Sequence, residues 1–523
     1  MSMSARAAVL VGCALLAAAC GGAPGPVRPN QGTPAPPAHG WPPPPAWPPR
    51  DPPPAGTPAA TYVPYPYGNT FEDAGVNPYT DPLRDRLSTF SMDVDTASYD
   101  VGRGYLQDGS LPDRDSVRLE EYVNSFDYGY RAPAQDAFAI EVEGAPAPFI
   151  ESRSVLLRVG IQARQVVDQV RPPLALTFVI DTSGSMGIEN RLELVKESLA
   201  LLVTRLRPND SVAIVTFGTS AQVVLGATAA AEPETILAAI GGLRSEGSTN
   251  AQAGLELGYD LAARGHRPGV RDRVVLASDG VANVGLTDAD SILARIDREV
   301  GSGVELISIG VGMGNFNDAL LEQLADRGNG FYAYVNDRSQ AEAVFGGRLI
   351  DALITVARDA RVQVEFLPDA VARYRLLGYE NRAMADQDFD NPAADAGEVG
   401  AGHSVTAIYE IEPGWSRGPL LGTVTLHWID PDTQARKELA RDITVSDFAT
   451  DYYSATPSFR LAATVASFAE ILRESPYVTG YTLADVDREA QDVARSFAGN
   501  AKVAEFSQLT STAARFSPRI SDW

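Results

Sequence analysis

Between residues 174 and 335 the chain alternates short apolar runs, rich in β-branched residues, with longer amphipathic segments. Apolar runs separated by amphipathic segments predict buried strands joined by helices, and hence a parallel sheet with right-handed crossovers. The fold class is therefore α/β, with a doubly wound, mostly parallel sheet whose ligands bind beyond the carboxyl ends of the strands. The predicted strands are 174–180, 211–217, 273–276, 304–311 and 331–335, with 222–225 as an antiparallel edge strand, and the predicted helices are 191–206, 234–243, 251–263, 291–300 and 318–325.

Strand patterns also lie on both sides of this α/β section. They predict strands at 138–142 and 154–161 before it, and at 360–366, 404–411, 422–428 and 438–445 after it. We expect the two sets to pair into one antiparallel β-sandwich with the α/β domain inserted between its strands, since the two ends of a domain often lie close together. Helices predicted at 458–473 and 483–497 should pack on the sandwich or against the α/β domain.

Oxygen-bearing side chains follow three of the predicted elements of the α/β sheet. They are Asp181, Ser183 and Ser185 after the first strand, Thr249 before a helix, and Asp279 after the strand at 273–276. Two carboxylates and three hydroxyls, without nitrogen or sulfur, favour a hard cation such as Mg²⁺, Mn²⁺ or Ca²⁺. Because hydroxyls are neutral, the ion would keep much of its charge, and an open position would attract a carboxylate from another protein.

The order D-x-S-x-S, then Thr, then Asp resembles the metal-ion-dependent adhesion site of the von Willebrand factor type A (VWA) family. The resemblance implies that Asp181, Ser183, Ser185, Thr249 and Asp279 hold the metal, directly or through water, in a protein-binding module that is not an enzyme. Ser278 stands where many members of the family have Thr, and is not expected to be a ligand. The stretches 87–99, 117–126, 374–382 and 400–403 are similar to the flanking regions of a bacterial family of VWA lipoproteins whose role is poorly defined.

The composition excludes several other kinds of site. A formal net charge of −24 argues against nucleic acid as a partner, because such binding needs cationic neutralisation of phosphates. The two cysteines, Cys13 and Cys20, both lie near the N-terminus, and the four histidines are scattered, so a zinc site is not expected. Neither a Walker-type phosphate loop nor a Ser-His-Asp arrangement is apparent.

The N-terminus has the features of an export signal. An apolar run at 7–16, too short to span a bilayer, leads into Leu-Ala-Ala-Ala-Cys-Gly at 16–21, which resembles a bacterial lipobox and implies a lipid on Cys20. The alternative is an ordinary secretory signal cleaved before Cys20. The expected location is the cell envelope, with the outer membrane favoured because Gly21 is not the Asp that signals inner-membrane retention in some bacteria.

The predicted organisation is a signal at 1–20, a Pro-rich tether at 21–60, an N-terminal region at 61–134, sandwich strands at 135–170, the α/β domain at 171–350, the rest of the sandwich at 351–450 and a helical region at 451–523.

Three hypotheses share the predicted metal site. The first is capture of a protein that presents an acidic side chain, and the second is an assembly factor for envelope complexes, which differs only in its partner. The third is a metal-dependent phosphoester hydrolase, which would need a base and a phosphate-binding cation, and Arg191 is the only basic residue close in sequence to the first loop. Asp93 and Asp95 form a D-x-D pattern typical of some phosphatases, but the run before them is poor as a buried strand, and a structural turn is expected there.

Overall fold

A computed structural model describes residues 71–516, except 72, 93–94, 150–153, 167–170, 280–291, 293, 295–302, 313–317, 346–352, 392–395 and 416–417. The predicted signal, Cys20 and the tether at 21–60 lie outside the described residues, as does nearly all of the predicted helix at 291–300. All described residues belong to one structural unit, Tyr65–Trp523.

The α/β section forms a six-stranded sheet in the order β6-β5-β4-β7-β8-β9. Its neighbours are parallel except β6, which runs antiparallel to β5 at the edge of the sheet. This arrangement confirms the predicted fold class, including the antiparallel edge strand. The strands are β4 (Leu174–Asp181), β5 (Ser211–Phe217), β6 (Ala221–Ala229), β7 (Arg271–Ser278), β8 (Glu305–Val311) and β9 (Tyr332–Val335).

Helices cover both faces of this sheet, as a doubly wound fold requires. Phe178 and Ile180 of β4 share a buried apolar cluster with Leu192, whereas Val179, between them, belongs to a second cluster with Leu255. This alternation follows from the two-residue period of a strand. The helices of this section are α3 (Arg191–Val203), α4 (Pro233–Gly242), α5 (Ala251–Gly265), α6 (Asp318–Arg327) and α7 (Arg338–Ala343).

The flanking strands form two antiparallel sheets. One has the order β11-β13-β3-β2 and the other β1-β10-β14-β15, with β12 also paired to β10. Because β3 precedes the α/β section and β13 follows it, the pairing of these two strands joins the flanks into one sandwich, as predicted. The strands are β1 (Leu87–Ser91), β2 (Phe138–Pro146), β3 (Val155–Ala163), β10 (Thr355–Phe366), β11 (Val371–Leu377), β12 (Gly397–Gly400), β13 (Ser404–Pro413), β14 (Leu420–Ile429) and β15 (Arg436–Thr444).

Aromatic rings fill the space between the two sheets. The rings of Phe366 on β10 and Tyr409 on β13 lie 5.2 Å apart, and those of Phe138 on β2 and Trp428 on β14 are also 5.2 Å apart. Both pairs are edge-to-face, the arrangement that aromatic quadrupoles favour. The sandwich core is continuous with one apolar cluster of the α/β sheet.

Several elements were not predicted. The run at 87–91, judged poor as a buried strand, is strand β1, and its Phe90 is fully buried against β10. Asp95 accepts hydrogen bonds from the Tyr332 backbone and from Arg382, which fits a structural role, while Asp93 lies outside the described residues. The other missed strands and α-helices are β11 and β12, α1 (Ala97–Gln107), α2 (Leu119–Asn124), α7 and α10 (Ala501–Ala513).

A buried polar cluster joins the amino ends of the α/β strands to the sandwich. Arg273, at the start of β7, donates to the carbonyl of Leu353 and to Thr355 Oγ1, both at 3.0 Å. Glu305, the first residue of β8, accepts from Thr355 at 3.0 Å and from Arg358 at 3.0 Å. We call these five residues the base of the α/β domain, because they bond it to the first residues of β10.

The C-terminal helices α8 (Pro457–Leu472) and α9 (Leu483–Ser496) match the predictions closely. Besides the base, ion pairs of Arg103 on α1 connect the α/β section to the helices that flank it. Arg103 pairs with Asp337, the N-cap of α7, and with Glu505 of α10. No helix within the described residues is both long and apolar enough to cross a membrane.

Candidate metal centre

The first loop of the predicted site begins where β4 ends. Asp181 is fully buried, and its Oδ1 accepts a hydrogen bond of 2.8 Å from the backbone N–H of Ser183. The hydroxyls of Ser183 and Ser185 are 3.0 Å apart. The short 3-10 segment Gly184–Asn190 then leads into α3. The structure therefore brings three of the five predicted side chains together in one turn.

The second loop lies directly against the first. The backbone N–H of Gly184 donates to the carbonyl of Gly247 at 3.0 Å, and Ser245 Oγ donates to the carbonyl of Ser183 at 2.6 Å. Gly247 has a φ of +86°, and a side chain there would place a Cβ 2.6 Å from Thr219 Oγ1, so only glycine fits this turn. Two residues later Thr249 is buried. These backbone bonds fix the threonine-bearing loop beside Asp181 and Ser183.

The third loop begins at the end of β7. Ser278 donates a hydrogen bond of 2.7 Å to Asp181 Oδ2, which ties β7 to β4 at the carboxyl edge of the sheet. Asp279 is fully buried, and its Oδ2 accepts from Arg191 Nη1 at 2.9 Å. Its other oxygen, Oδ1, is buried without a hydrogen-bond partner in the structure described here. We call Asp181, Ser183, Ser185, Thr249 and Asp279 the candidate metal site.

The pKa of Asp181 indicates that this carboxylate has too little positive charge around it. Burial, and then repulsion from Asp279, raise the pKa of Asp181 to about 6, although hydrogen bonds from Ser183 and Ser278 act in the opposite direction. Two buried carboxylates that repel each other are stabilised in the charged form by a nearby cation. The arrangement therefore favours uptake of a positive ion.

The residues present fit a divalent metal of the hard class. Carboxylates and hydroxyls from three loops are the oxygen donors that Mg²⁺, Mn²⁺ and Ca²⁺ take, and Asp279 Oδ1 is a buried donor atom without a partner of its own. Over the described residues, no group of three or more His, Cys, Asp or Glu side chains is placed to hold a metal ion. A metal at this edge would therefore depend on the hydroxyl oxygens.

Two residues of this region were missed in the sequence. Ser278 is not expected to be a ligand, yet its hydroxyl donates a hydrogen bond to Asp181. Arg191 is predicted from the sequence only to begin a helix, yet it forms a buried ion pair with Asp279. The sequence feature that points to these two residues is their position beside the motif. Ser278 directly precedes Asp279, and Arg191 follows the first loop by six residues.

Three family models match the chain. The model described as von Willebrand factor type A domain matches residues 175–346, and one described as von Willebrand factor matches residues 66–158. A model described as the C-terminal region of the uncharacterized protein YfbK matches residues 351–420 and 416–516.

Relatives of the chain occur in bacteria and animals. The uncharacterized protein YfbK of Escherichia coli is 41% identical over 360 residues, which cover 67% of this chain and 62% of that protein. An uncharacterized protein of Synechocystis is 29% identical over 215 residues, or 41% of this chain and 50% of that one. Human inter-alpha-trypsin inhibitor heavy chain H3 is 25% identical over 261 residues, or 46% of this chain and 28% of that one. The chain thus spans less than two thirds of each of these relatives.

Solved structures similar to the chain include a von Willebrand factor type A protein from Catenulispora acidiphila, with 18% identity and a TM-score of 0.42. The match covers 71% of this chain and 89% of that one. The ArnB paralog VWA2 from Sulfolobus acidocaldarius has 16% identity and a TM-score of 0.34, over 72% of this chain and 97% of that one.

Proposed function

Since residues 175–346 form a VWA domain, we propose that the chain is a cell-envelope lipoprotein that binds a partner protein through a divalent metal ion. The ion, Mg²⁺, Mn²⁺ or Ca²⁺, is held by the candidate metal site, and an acidic side chain of the partner completes its coordination. The observation that carries this proposal is the convergence of three loops, two of them at strand ends, beside the buried carboxylates of Asp181 and Asp279, of which Asp181 is faced only by neutral donors and by the like charge of Asp279.

Each residue of the site has a distinct task. Asp181 and Asp279 supply the negative charge that attracts the ion, and Ser183, Ser185 and Thr249 supply neutral oxygens. The bound ion would supply an electrophilic position for a carboxylate. Ser278 orients Asp181, and the bonds between the first and second loops fix the spacing of the hydroxyls before any ion arrives. Such preorganisation lowers the entropy that binding has to overcome.

The surroundings support binding rather than hydrolysis. A phosphoester hydrolase would need a cation to hold the substrate phosphate, and Arg191, the basic residue nearest the first loop in sequence, is committed to Asp279. We therefore propose that the protein is not an enzyme. Its net charge of −24 disfavours nucleic acid as the partner.

The location is part of the proposal. A lipid on Cys20 would anchor the chain to a membrane, favoured as the outer membrane, and the Pro-rich stretch 21–60 would hold the folded part away from it. Metabolic labelling with palmitate, in wild type and in Cys20→Ala, tests the anchor. Equal labelling of the two proteins would disprove lipidation at Cys20.

Calorimetric titration of the purified full-length protein with Mg²⁺, Mn²⁺ and Ca²⁺ tests the metal site. We expect one ion per chain and a loss of affinity of at least about tenfold in Thr249→Ala, because one neutral oxygen ligand is lost. Thr177→Ala is the matched control, since Thr177 is equally buried on β4 but lies four residues before Asp181. Absence of ion uptake by wild type, or equal effects of the two substitutions, would refute the site.

Capture from solubilised membranes tests the partner. The immobilised protein should retain a partner in Mg²⁺ and release it in EDTA, and Asp181→Ala should retain none of it in either buffer. Retention of the same partner in EDTA would show that the metal is not the point of contact.

A further inference from the structure

Arg191 is placed where its charge acts on the candidate metal site. Its side chain is 4% exposed, and the carboxylate of Asp279 that it binds is fully buried. On its other side it packs against Gly312, just beyond β8, where a Cβ would lie 2.4 Å from Arg191 Nε. The φ of Gly312 is +77°, so both its conformation and its lack of a side chain make room for the arginine.

The ion pair of Arg191 with Asp279 affects the net charge of the candidate metal site both without and with a bound metal ion. A buried carboxylate without a partner destabilises a protein strongly, and Arg191 prevents this for Asp279 in the absence of metal. With a dication bound, the two carboxylates would neutralise the ion, and Arg191 would leave the whole cluster with one net positive charge. That remaining charge matches a single carboxylate from outside.

We propose that Arg191 is a positioning and charge-balancing residue: it serves as the counter-ion of Asp279 when the site is empty, and it keeps the loaded site positive so that it selects a carboxylate. This inference rests on the proposed function. It assigns the arginine two separable effects, weaker binding of the metal and tighter binding of the partner's acid.

The experiment uses the full-length protein, with Arg191→Gln to remove the charge and Arg191→Lys to keep it. Mn²⁺ affinity is measured by calorimetry, and acetate serves as the probe for the partner carboxylate. Acetate binding is followed through the water-proton relaxation of the Mn²⁺-loaded protein, since acetate displaces water from the ion. Melting temperatures are recorded in EDTA and in Mn²⁺.

We expect Arg191→Gln to bind Mn²⁺ about threefold to tenfold more tightly and acetate about threefold to tenfold more weakly than wild type, because one charge is removed from a buried site. Its melting temperature should fall in EDTA and recover in Mn²⁺, since the metal replaces the missing counter-ion. Arg191→Lys should stay close to wild type in both affinities.

A purely structural role would give a different result. Weaker Mn²⁺ binding by Arg191→Gln, unchanged acetate binding, equal behaviour of the Gln and Lys variants, or a Gln variant that unfolds even in Mn²⁺ would each overturn the inference. Failure of wild type to bind Mn²⁺ would instead overturn the proposed function itself.

Discussion

Two buried carboxylates in this molecule have pKa values that are shifted in opposite directions. Asp181, in the candidate metal site, has its pKa raised to about 6 by burial and by Asp279. Glu470, on α8 where it packs against the sandwich, is also subject to burial, which alone would raise its pKa, but Arg473 and Arg375 outweigh that effect and the pKa is lowered. Both side chains are almost inaccessible to solvent.

The difference lies in the donors that face each carboxylate. Glu470 accepts from Arg473 Nε at 3.0 Å and from Arg375 Nη2 at 2.9 Å, and these arginines also bind Glu380 and Glu410. Asp181 accepts from a backbone N–H and a hydroxyl, both neutral. The group around Glu470, which we call the ion network, supplies its own cations and so holds the helix to the sandwich. At Asp181 the donors are neutral, so under the proposed function a metal ion would supply the missing positive charge.

The largest effect is expected from removing a cation of the ion network. Arg375→Met leaves Glu410 and Glu470 without their shared partner, and we expect a loss of about 3–5 kcal/mol in the free energy of unfolding. Urea unfolding in EDTA measures it. Arg373→Met, two residues away and half-exposed, should lose less than about 1 kcal/mol. Similar losses for the two variants would mean that the ion network contributes no more to stability than the exposed ion pair of Arg373.

The same chemical change should have opposite signs in the two regions. In EDTA at pH 8, Asp181→Asn should stabilise the protein by up to about 3 kcal/mol, because it removes a charge whose pKa is raised. Glu470→Gln should destabilise it by about 2–4 kcal/mol, because two arginines lose their anion. Urea unfolding of both variants beside wild type is the measurement, and shifts of the same sign would contradict the contrast.

The pH dependence separates the regions further. The contribution of Asp181 in EDTA is most favourable below its ordinary pKa near 3.8 and should be lost at about 1.4 kcal/mol per pH unit as the pH rises to about 6. The contribution of Glu470 should be present above its ordinary pKa of 4.5 and be lost as the pH falls through its lowered value. Subtracting the stability curves of Asp181→Asn and Glu470→Gln from wild type isolates the two. A flat difference curve for Asp181 between pH 4 and 6 would disagree with this assignment.

The smallest effect is expected at Ser278. Ser278→Ala removes the hydroxyl that stabilises the charged form of Asp181, so the pKa of Asp181 should rise further and Mn²⁺ affinity at pH 7 should fall about threefold to tenfold. Calorimetry checks this, with Ser308→Ala, fully buried on the neighbouring β8, as the matched control. A decrease in the control of the same size would point to loosening of the sheet as a whole.

The α/β fold was predictable because its strands are buried on both faces and read as uninterrupted apolar runs, such as 174–180. Strand β11 was not, because Arg373 and Arg375 interrupt its pattern, and their partners Glu412 and Glu410 lie on β13, far away in sequence. Strand β1 could not be predicted because only Phe90 and Thr89 of its five residues are buried. A charged or half-exposed strand can be recognised only from the strands with which it pairs in the structure.

Part of the candidate metal site could likewise be predicted from the sequence, and part could not. Asp181, Ser183 and Ser185 stand in one short motif. Asp279 could be added because parallel strands end at a common edge, and Thr249 because the order of the motif resembles the VWA metal site. The sequence places Arg191 close to the motif, but the geometry of its ion pair with Asp279 could not be derived from that position alone. It depends on Asn190, with a φ of +60°, just before α3 and on the space left by Gly312.

The position of the base would have a mechanical consequence for the partner binding proposed above. The base binds the amino ends of β7 and β8 to the sandwich, while the candidate metal site lies at the carboxyl edge of the same sheet. Tension applied to β4 at one edge and resisted at the other through β7 would run along the strands, so the hydrogen bonds between β4 and β7 would be sheared together and would not open one after another. Under the proposed function, a pull on the partner would be carried through the α/β domain into the sandwich by many bonds at once.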